Sequence, residues 1–424
     1  MSRIILIASW SGAPKDGRRL RHYFLLRELA TQYGWQATLV AENTRLAWAR
    51  LTLEHEGLEV LYLPALPVLG SAGGLLRPII RAINMVLFLL TILPTFVLRG
   101  LLRHPAVFWG SSPHPANAVA AFIFSALTRQ PFIYEVRDPW PELLSELGYT
   151  KPNSLAYRIL VALDAFLKRR AALVIGVTPA CLARSPDERP RMIIPQTLPN
   201  DAIARYGNLK SQLKPRVAIR QLYCGGGIGK AHGISTLLDA LQLLRSRKPQ
   251  LSFTLLLRCQ AGTIPPLREA IHQRDLFAHV RLEPLVDYET HLLDLALSGY
   301  ALLHLDSLPS LRTGISSNKL LDAFLVGTPV ILAADAENNV VERSGAGFIC
   351  RPGRPDELAE VLARALTLPD DAYWNLVDRA LAFRDQHLVM KPYTDSLHEH
   401  LRSISGMPST MSGFSTREDK RSAS

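Results

Sequence analysis

Lys319 is a cation in the first turn of an expected helix, where the positive end of the helix dipole disfavours it. A bound anion would remove that conflict and would be held by the free backbone amides of the same turn. Asn318 and Asp322 stand four residues apart and share one face of that helix. Ser316, Ser317 or Asn318 can cap its start, and Gly327 ends it before Thr328-Pro329-Val330, which reads as the next strand. A surface helix with one awkward lysine accounts for these residues equally well, so their surroundings decide.

A second anion-binding candidate is the run Cys-Gly-Gly-Gly-Ile-Gly-Lys-Ala-His-Gly at 224–233, between an expected strand and an expected helix. Gly226 and Gly227 would let a ligand approach the backbone, and Lys230 would bring positive charge to a helix start that already favours phosphate. A P-loop needs glycine where Cys224 stands and Ser or Thr where Ala231 stands. A dinucleotide fingerprint beginning at Gly225 needs glycine where Lys230 stands. Phosphate contact survives while both common motifs fall away. Two further loops combine polar groups at strand ends. Arg137 and Asp138 are stiffened by Pro139 and Pro141, which suits a cleft, although an Arg–Asp pair that merely closes a loop has the same residues. Arg21 and His22 end the loop that follows the first strand.

The elements that must position these groups alternate. Apolar runs at 4–8, 36–41, 58–63, 106–109, 132–136 and 173–177 read as strands, with helical patterns at 20–33, 116–127 and 154–169. After a polar stretch at 201–217, strands recur at 218–223, 251–257, 280–282, 300–305, 329–332 and 347–350. Helices fall between them, and two more close the chain at 371–384 and 393–402. Continuous apolar strands alternating with helices predict an α/β fold of two Rossmann-like, doubly wound domains. The expected division is 1–200 for the first domain, 201–217 for a linker, 218–370 for the second, 371–402 for helices packing back across both, and 403–424 for a disordered tail. In such sheets ligands bind beyond the carboxyl ends of the strands.

At 424 residues, 48% hydrophobic and 20% charged, the chain is globular and slightly oily. Its four cysteines show no paired spacing, so neither a disulfide framework nor a metal site is expected, and the first residues read as a buried strand rather than a signal peptide. A cytoplasmic protein without metal or cofactor is the expectation. The net charge of +11 suits phosphorylated ligands or an anionic membrane face. Nucleic acid is not expected, because the basic residues are scattered without aromatic interleaving. Within 75–103, an apolar run interrupted by Pro94 is flanked by Arg77, Arg81, Arg99 and Arg103. It is too short and broken for a span of about twenty apolar residues. A helix in the membrane interface and a buried inter-domain helix both fit, and the arginines favour peripheral contact with the inner membrane face.

Two Rossmann-like domains, the glycine run, and S-x-N-K-L-x-D-x-x-x-x-G-x-P-V at 316–330 resemble the retaining GT-B glycosyltransferases of family 4. The similarity covers nearly the whole chain, including 22–29 and Arg137-Asp138-Pro139-Trp140-Pro141-Glu142, and is closest to the subset building bacterial surface polysaccharides. The resemblance implies two domains facing a central cleft, an acceptor domain first and a nucleotide-sugar donor domain second. Asp322 stands where the family's second paired glutamate grips the ribose, and Asn318 with the amides of 316–319 faces the diphosphate alongside Gly226, Gly227, Lys230 and Lys319. The first paired glutamate falls at Gly314, with Arg312 or Asp306 as substitutes. The family's usual lysine directly precedes a glycine, where this chain has His232, and its phosphate arginine near the glycines is missing. The active-site histidine aligns with Arg137, leaving Asp138 to face the acceptor, with Arg21 and His22 on the acceptor side. The implied reaction moves a sugar from a nucleotide-diphosphate donor, without metal, to a carbohydrate or polyprenyl-linked acceptor. A nucleotide-sugar epimerase of the same architecture and a catalytically silent nucleotide-sugar scaffold are the rivals.

Overall fold

The computed structural model describes residues 3–14, 21–43, 49–67, 76–102, 106–112, 114–228, 232–337 and 339–406. Within them the first domain holds a sheet of β1 (Arg3–Ile7), β2 (Gln36–Asn43), β3 (Arg50–His55), β4 (Leu58–Pro64), β5 (Ala106–Ser111), β6 (Phe132–Val136), β7 (Leu173–Gly176) and β8 (Arg191–Ile193). Its spatial order is β3-β4-β2-β1-β5-β6-β7-β8, parallel except for β3, which pairs antiparallel with β4 at the edge. The second domain holds β9 (Ala218–Gly225), β10 (Thr254–Cys259), β11 (Val280–Pro284), β12 (Ser298–His304), β13 (Val330–Ala333) and β14 (Gly347–Cys350), in the parallel order β11-β10-β9-β12-β13-β14. The central strands are buried on both faces, which is why they read as unbroken apolar runs; every residue of β6 and of β12 is buried.

Each sheet has one place where strand order reverses, between β1 and β5 in the first domain and between β9 and β12 in the second. Those crevices are where doubly wound folds bind ligands. The loop 8–14 with Ser111, Ser112 and His114 flanks the first, and Gly225, Gly226, Gly227 and His304 flank the second.

The stretch 201–217, expected to lack pattern, instead contains helices Asn200–Tyr206 and Leu209–Gln212 and a 3₁₀ turn at Lys214–Arg216. Lys210 is fully buried there, its ammonium donating to the carbonyls of Ala296 (3.1 Å) and Ser298 (2.6 Å), so the segment is anchored to the second domain. The chain returns to the first domain at its end. Leu198 and the 388–390 segment run side by side, and helix Lys391–Ile404 buries Leu397 and Leu401 in the first domain's core. Trp35 Nε1 donates to His398 Nδ1 at 3.0 Å across that junction. Of the tail from 403, Ser403 and Ile404 end this helix, and 407–424 lie outside the described residues.

Pro94 does not break the apolar segment. Leu76–Leu98 is one helix of 23 residues, and it packs on the first domain rather than between domains, with Phe88, Ile92 and Phe96 in that core. Burial of this face outweighs the one backbone bond that proline removes.

Candidate active site

Helix Asn318–Val326 begins as the sequence requires. Ser317 is its N-cap, its hydroxyl accepting from the Lys319 amide at 3.3 Å, and Gly327 leaves it in the left-handed conformation at φ +83°. The left-handed φ favours glycine at that turn, and a Cβ there would also push on the Leu381 side chain, 2.7 Å away. Leu320, Ala323, Phe324 and Leu325 bury the opposite face, which turns Asn318 and Asp322 outward.

Lys319 reaches the glycine run. Its ammonium donates to the Gly227 carbonyl at 3.1 Å, and a Cβ on Gly226 would sit 3.1 Å from its Cε. Burial pulls the Lys319 pKa below its ordinary value. Gly226, Gly227, Lys319 and the first turn of 318–326 thus come together as one basic cradle. Gln260 supports it, its Oε1 accepting from the Ile228 amide at 3.2 Å. Lys230 lies outside the described residues. Gly233, at φ +46°, leaves no room for a side chain because its Cβ would lie 2.2 Å from His304 Nδ1.

Asp322 is not alone on its face. Tyr288 donates its hydroxyl to Oδ1 at 2.8 Å, and His291 Nε2 lies 3.3 Å from Oδ2. Burial, then the Asp322 charge, push the Tyr288 phenol well above its ordinary pKa, so it remains a donor. A carboxylate has about four acceptor positions, so capacity for ligand hydroxyls remains. Neither Tyr288 nor His291 was picked out from sequence. Their signal was the pair at i and i+3 after the N-cap Asp287, which faces helix 318–326 once the two helices pack.

The first domain's residues gather at the β1/β5 crevice. Arg137, His22, His114, Ser9 and Trp10 line a small cavity there. The Arg137 amide donates to Ser112 Oγ at 2.8 Å, while Arg137 Nε, His114 Nδ1 and Ser9 Oγ are buried with no hydrogen-bond partner among the described residues. Burial lowers the His114 pKa to about 4, so its ring is neutral near pH 7. Arg21 departs from the expected acceptor contact. It is buried, and its guanidinium is used up on Glu135 (3.1 Å) and on the carbonyls of Ile194 (2.6 Å) and Pro195. His22 shares Glu135 at 2.7 Å while still bordering the cavity. Asp138 follows Arg137 and is half-buried near Cys181, whose thiol its charge helps to raise after burial has done most of that work.

Between the domains lies a cavity of about 360 Å³, lined by Thr178, Gln196, Gly314, Ser316, Leu320 and Tyr393 among others. The domains touch around it: the Gln196 amide donates to Ser316 Oγ at 2.8 Å, and Ser310 Oγ donates to Glu146 at 2.6 Å. Of the two residues expected to stand in for a carboxylate at Gly314, Arg312 pairs outward with Asp335 at 3.1 Å, while Asp306 lies at the glycine run, its Oδ1 2.5 Å from where a Gly233 Cβ would be. Glu337 lines the cavity instead and was not anticipated. Gly314 itself has φ +140°, which a side chain tolerates poorly, although open space surrounds its Cβ direction to 3.7 Å. Gly314→Glu is therefore expected to destabilise the protein by about 1–3 kcal/mol through backbone strain. A thermal midpoint equal to that of the wild type would show that the loop relaxes freely.

Residues 219–367 match the family model of the group 1 glycosyl transferases. No curated protein sequence matches the chain significantly. Solved structures with the same architecture include sucrose-phosphate synthase from Thermosynechococcus elongatus, at TM-score 0.71 and 14% identity over 95% of this chain and 99% of that one. Trehalose-6-phosphate synthase from Burkholderia multivorans aligns at TM-score 0.66 and 13% identity, over 96% and 99% of the two chains. HepE from Anabaena, solved in complex with UDP, aligns at 0.61 and 17%, over 95% and 100%. The chain therefore has the GT-B fold, and its second domain is similar to the group 1 glycosyltransferases.

Proposed function

We propose that this protein is a glycosyltransferase of the retaining, family 4 type, moving a sugar from a nucleotide-diphosphate donor to a carbohydrate or lipid-linked acceptor in cell-surface glycan synthesis. The observation that carries the reading is the cradle of Gly226, Gly227, Lys319 and the capped start of helix 318–326. It lies at the strand-order reversal of a domain similar to group 1 glycosyltransferases. A cation and free amides at that point would stabilise a leaving diphosphate electrostatically. Asp322, steadied by Tyr288 and His291, would accept the ribose hydroxyls. Arg137 and Asp138 would orient the acceptor hydroxyl from the facing domain. The leaving phosphate would take its proton as the new bond forms on the same face of the sugar. The work would be done in the cytoplasm, at the inner face of the membrane.

A uridine donor is the first to test, because HepE holds UDP in a fold this chain shares. UDP and its sugars should raise the thermal midpoint, as ligands bound only by the folded state do. Asp322→Ala should weaken UDP binding about 10- to 100-fold in calorimetry, the loss expected for charge-assisted hydrogen bonds. Unchanged affinity would remove Asp322 from the site. Donor incubated without acceptor separates the epimerase alternative: an isomerised free donor would replace the transfer reading.

A further inference from the structure

The helix Leu76–Leu98 has two apolar faces. One, carrying Phe88, Ile92 and Phe96, is buried in the first domain, and Asn84 pins the same side by exchanging hydrogen bonds with the Leu66 backbone at 2.8 and 3.0 Å. The other presents Ile79, Ile83, Val86, Leu90, Leu93 and Val97 to the outside, each between 43% and 68% exposed. Their spacing of four and three residues makes one straight stripe along the helix. The neighbouring helix Pro115–Thr128 packs beside it through stacked Phe96 and Phe124 and adds exposed Ile123 and Leu127. Soluble surfaces rarely leave so long an apolar strip uncovered.

Charge indicates what covers it. No aspartate or glutamate occurs between Glu59 and Glu135, a span that carries Arg77, Arg81, Arg99, Arg103 and Arg129. Arg81, Arg99 and Arg129 are exposed at the ends of these two helices. An apolar face whose own stretch of chain carries arginines and no carboxylate complements an anionic bilayer, where acyl chains take the stripe and phosphates take the guanidiniums. By length and composition Ile79–Leu98 could cross a membrane. Its pinned inner face means that it lies along the surface instead, since spanning would expose Asn84 and empty the core of Phe88 and Phe96.

We infer that this stripe docks the protein on an anionic membrane, with the β1/β5 crevice at the water line. Arg81 lies 5.3 Å over the Trp10 ring, Trp10 meets His114 edge-on at 5.9 Å, and Phe88 meets it at 6.1 Å. The docked helix therefore touches the wall of the cavity that holds Arg137. An acceptor anchored in that bilayer would present its head group there; this clause alone rests on the transfer reading.

Co-sedimentation of the full chain with phosphatidylcholine vesicles, with and without phosphatidylglycerol, tests the docking. Binding should require phosphatidylglycerol, weaken with salt, and fall at least about tenfold in Ile83→Glu/Leu90→Glu. The milder Leu90→Ser/Leu93→Ser should show an intermediate loss, which guards against misfolding, and both should keep the wild-type thermal midpoint. Equal binding by wild type and variants, or none by wild type, overturns the inference. So does a solution dimer that these variants dissociate, because the face would then belong to a second copy. If vesicles bind while no nucleotide sugar shifts the midpoint, docking stands and the transfer reading falls.

Discussion

Lys319→Met is expected to lower kcat/KM for sugar transfer about 100- to 1,000-fold, the usual cost of removing one preorganised donor from a developing negative charge. The free protein holds this ammonium at a disadvantage on two counts. It sits at the positive end of helix 318–326, and burial already lowers its pKa. Among the described residues its acceptor is the Gly227 carbonyl. A diphosphate would reverse both penalties at once. The variant keeps the aliphatic stem against Gly226, so the unliganded protein should lose no stability while the UDP-induced rise in thermal midpoint disappears. That split separates a ligand-binding lysine from a structural one: a drop in the unliganded midpoint with kinetics intact would refute the assignment.

The stretch 316–330 was legible because its signals are local. A cap, an amphipathic run and a left-handed glycine occupy consecutive positions, and the conflict of Lys319 with the helix dipole can be stated without coordinates. The sheets were legible for a similar reason, since strands buried on both faces leave unbroken apolar runs. β3 was missed because Arg50–His55 alternates and pairs only at an edge. The helices between 200 and 212 were missed because they are short and polar, and their anchor is a lysine whose partners lie about 90 to 120 residues away. Pairings across elements were out of reach: Tyr288 on Asp322, Gln260 under Gly227, and Glu337 on the cavity at Gly314 depend on which helices meet. The same holds for Arg21. Adjacent to a loop in sequence, it looked available to a ligand, and only the ion pair from its helix to β6 shows that Glu135 has claimed it.

Glu135 makes the largest prediction on stability. It is fully buried at the end of β6 and joins three parts of the first domain: Arg21 and His22 at the start of the helix after β1, and, through Arg21, the carbonyls of Ile194 and Pro195 after β8. Burial by itself would push its carboxyl up, but His22, Arg21 and Arg137 outweigh that and hold it well below the usual range. Glu135→Gln keeps the shape and removes the charge, leaving the Arg21 guanidinium buried without its counter-ion. A loss of about 3–5 kcal/mol is expected, measured by urea unfolding near neutral pH. The pH dependence follows from the same shift. A carboxyl depressed in the folded state contributes stability that is fully present above its unfolded pKa of about 4.3 and is lost as pH falls toward the folded value. The wild-type thermal midpoint should therefore decline below about pH 5, and the variant, which no longer has that proton to take up, should decline less steeply. Because Arg137 borders both this cluster and the β1/β5 cavity, the variant should also weaken acceptor use while leaving UDP affinity on the other domain intact. Parallel acid slopes in the two proteins, or a stability loss under about 1 kcal/mol, would mean that the cluster is solvated enough to dispense with its carboxylate.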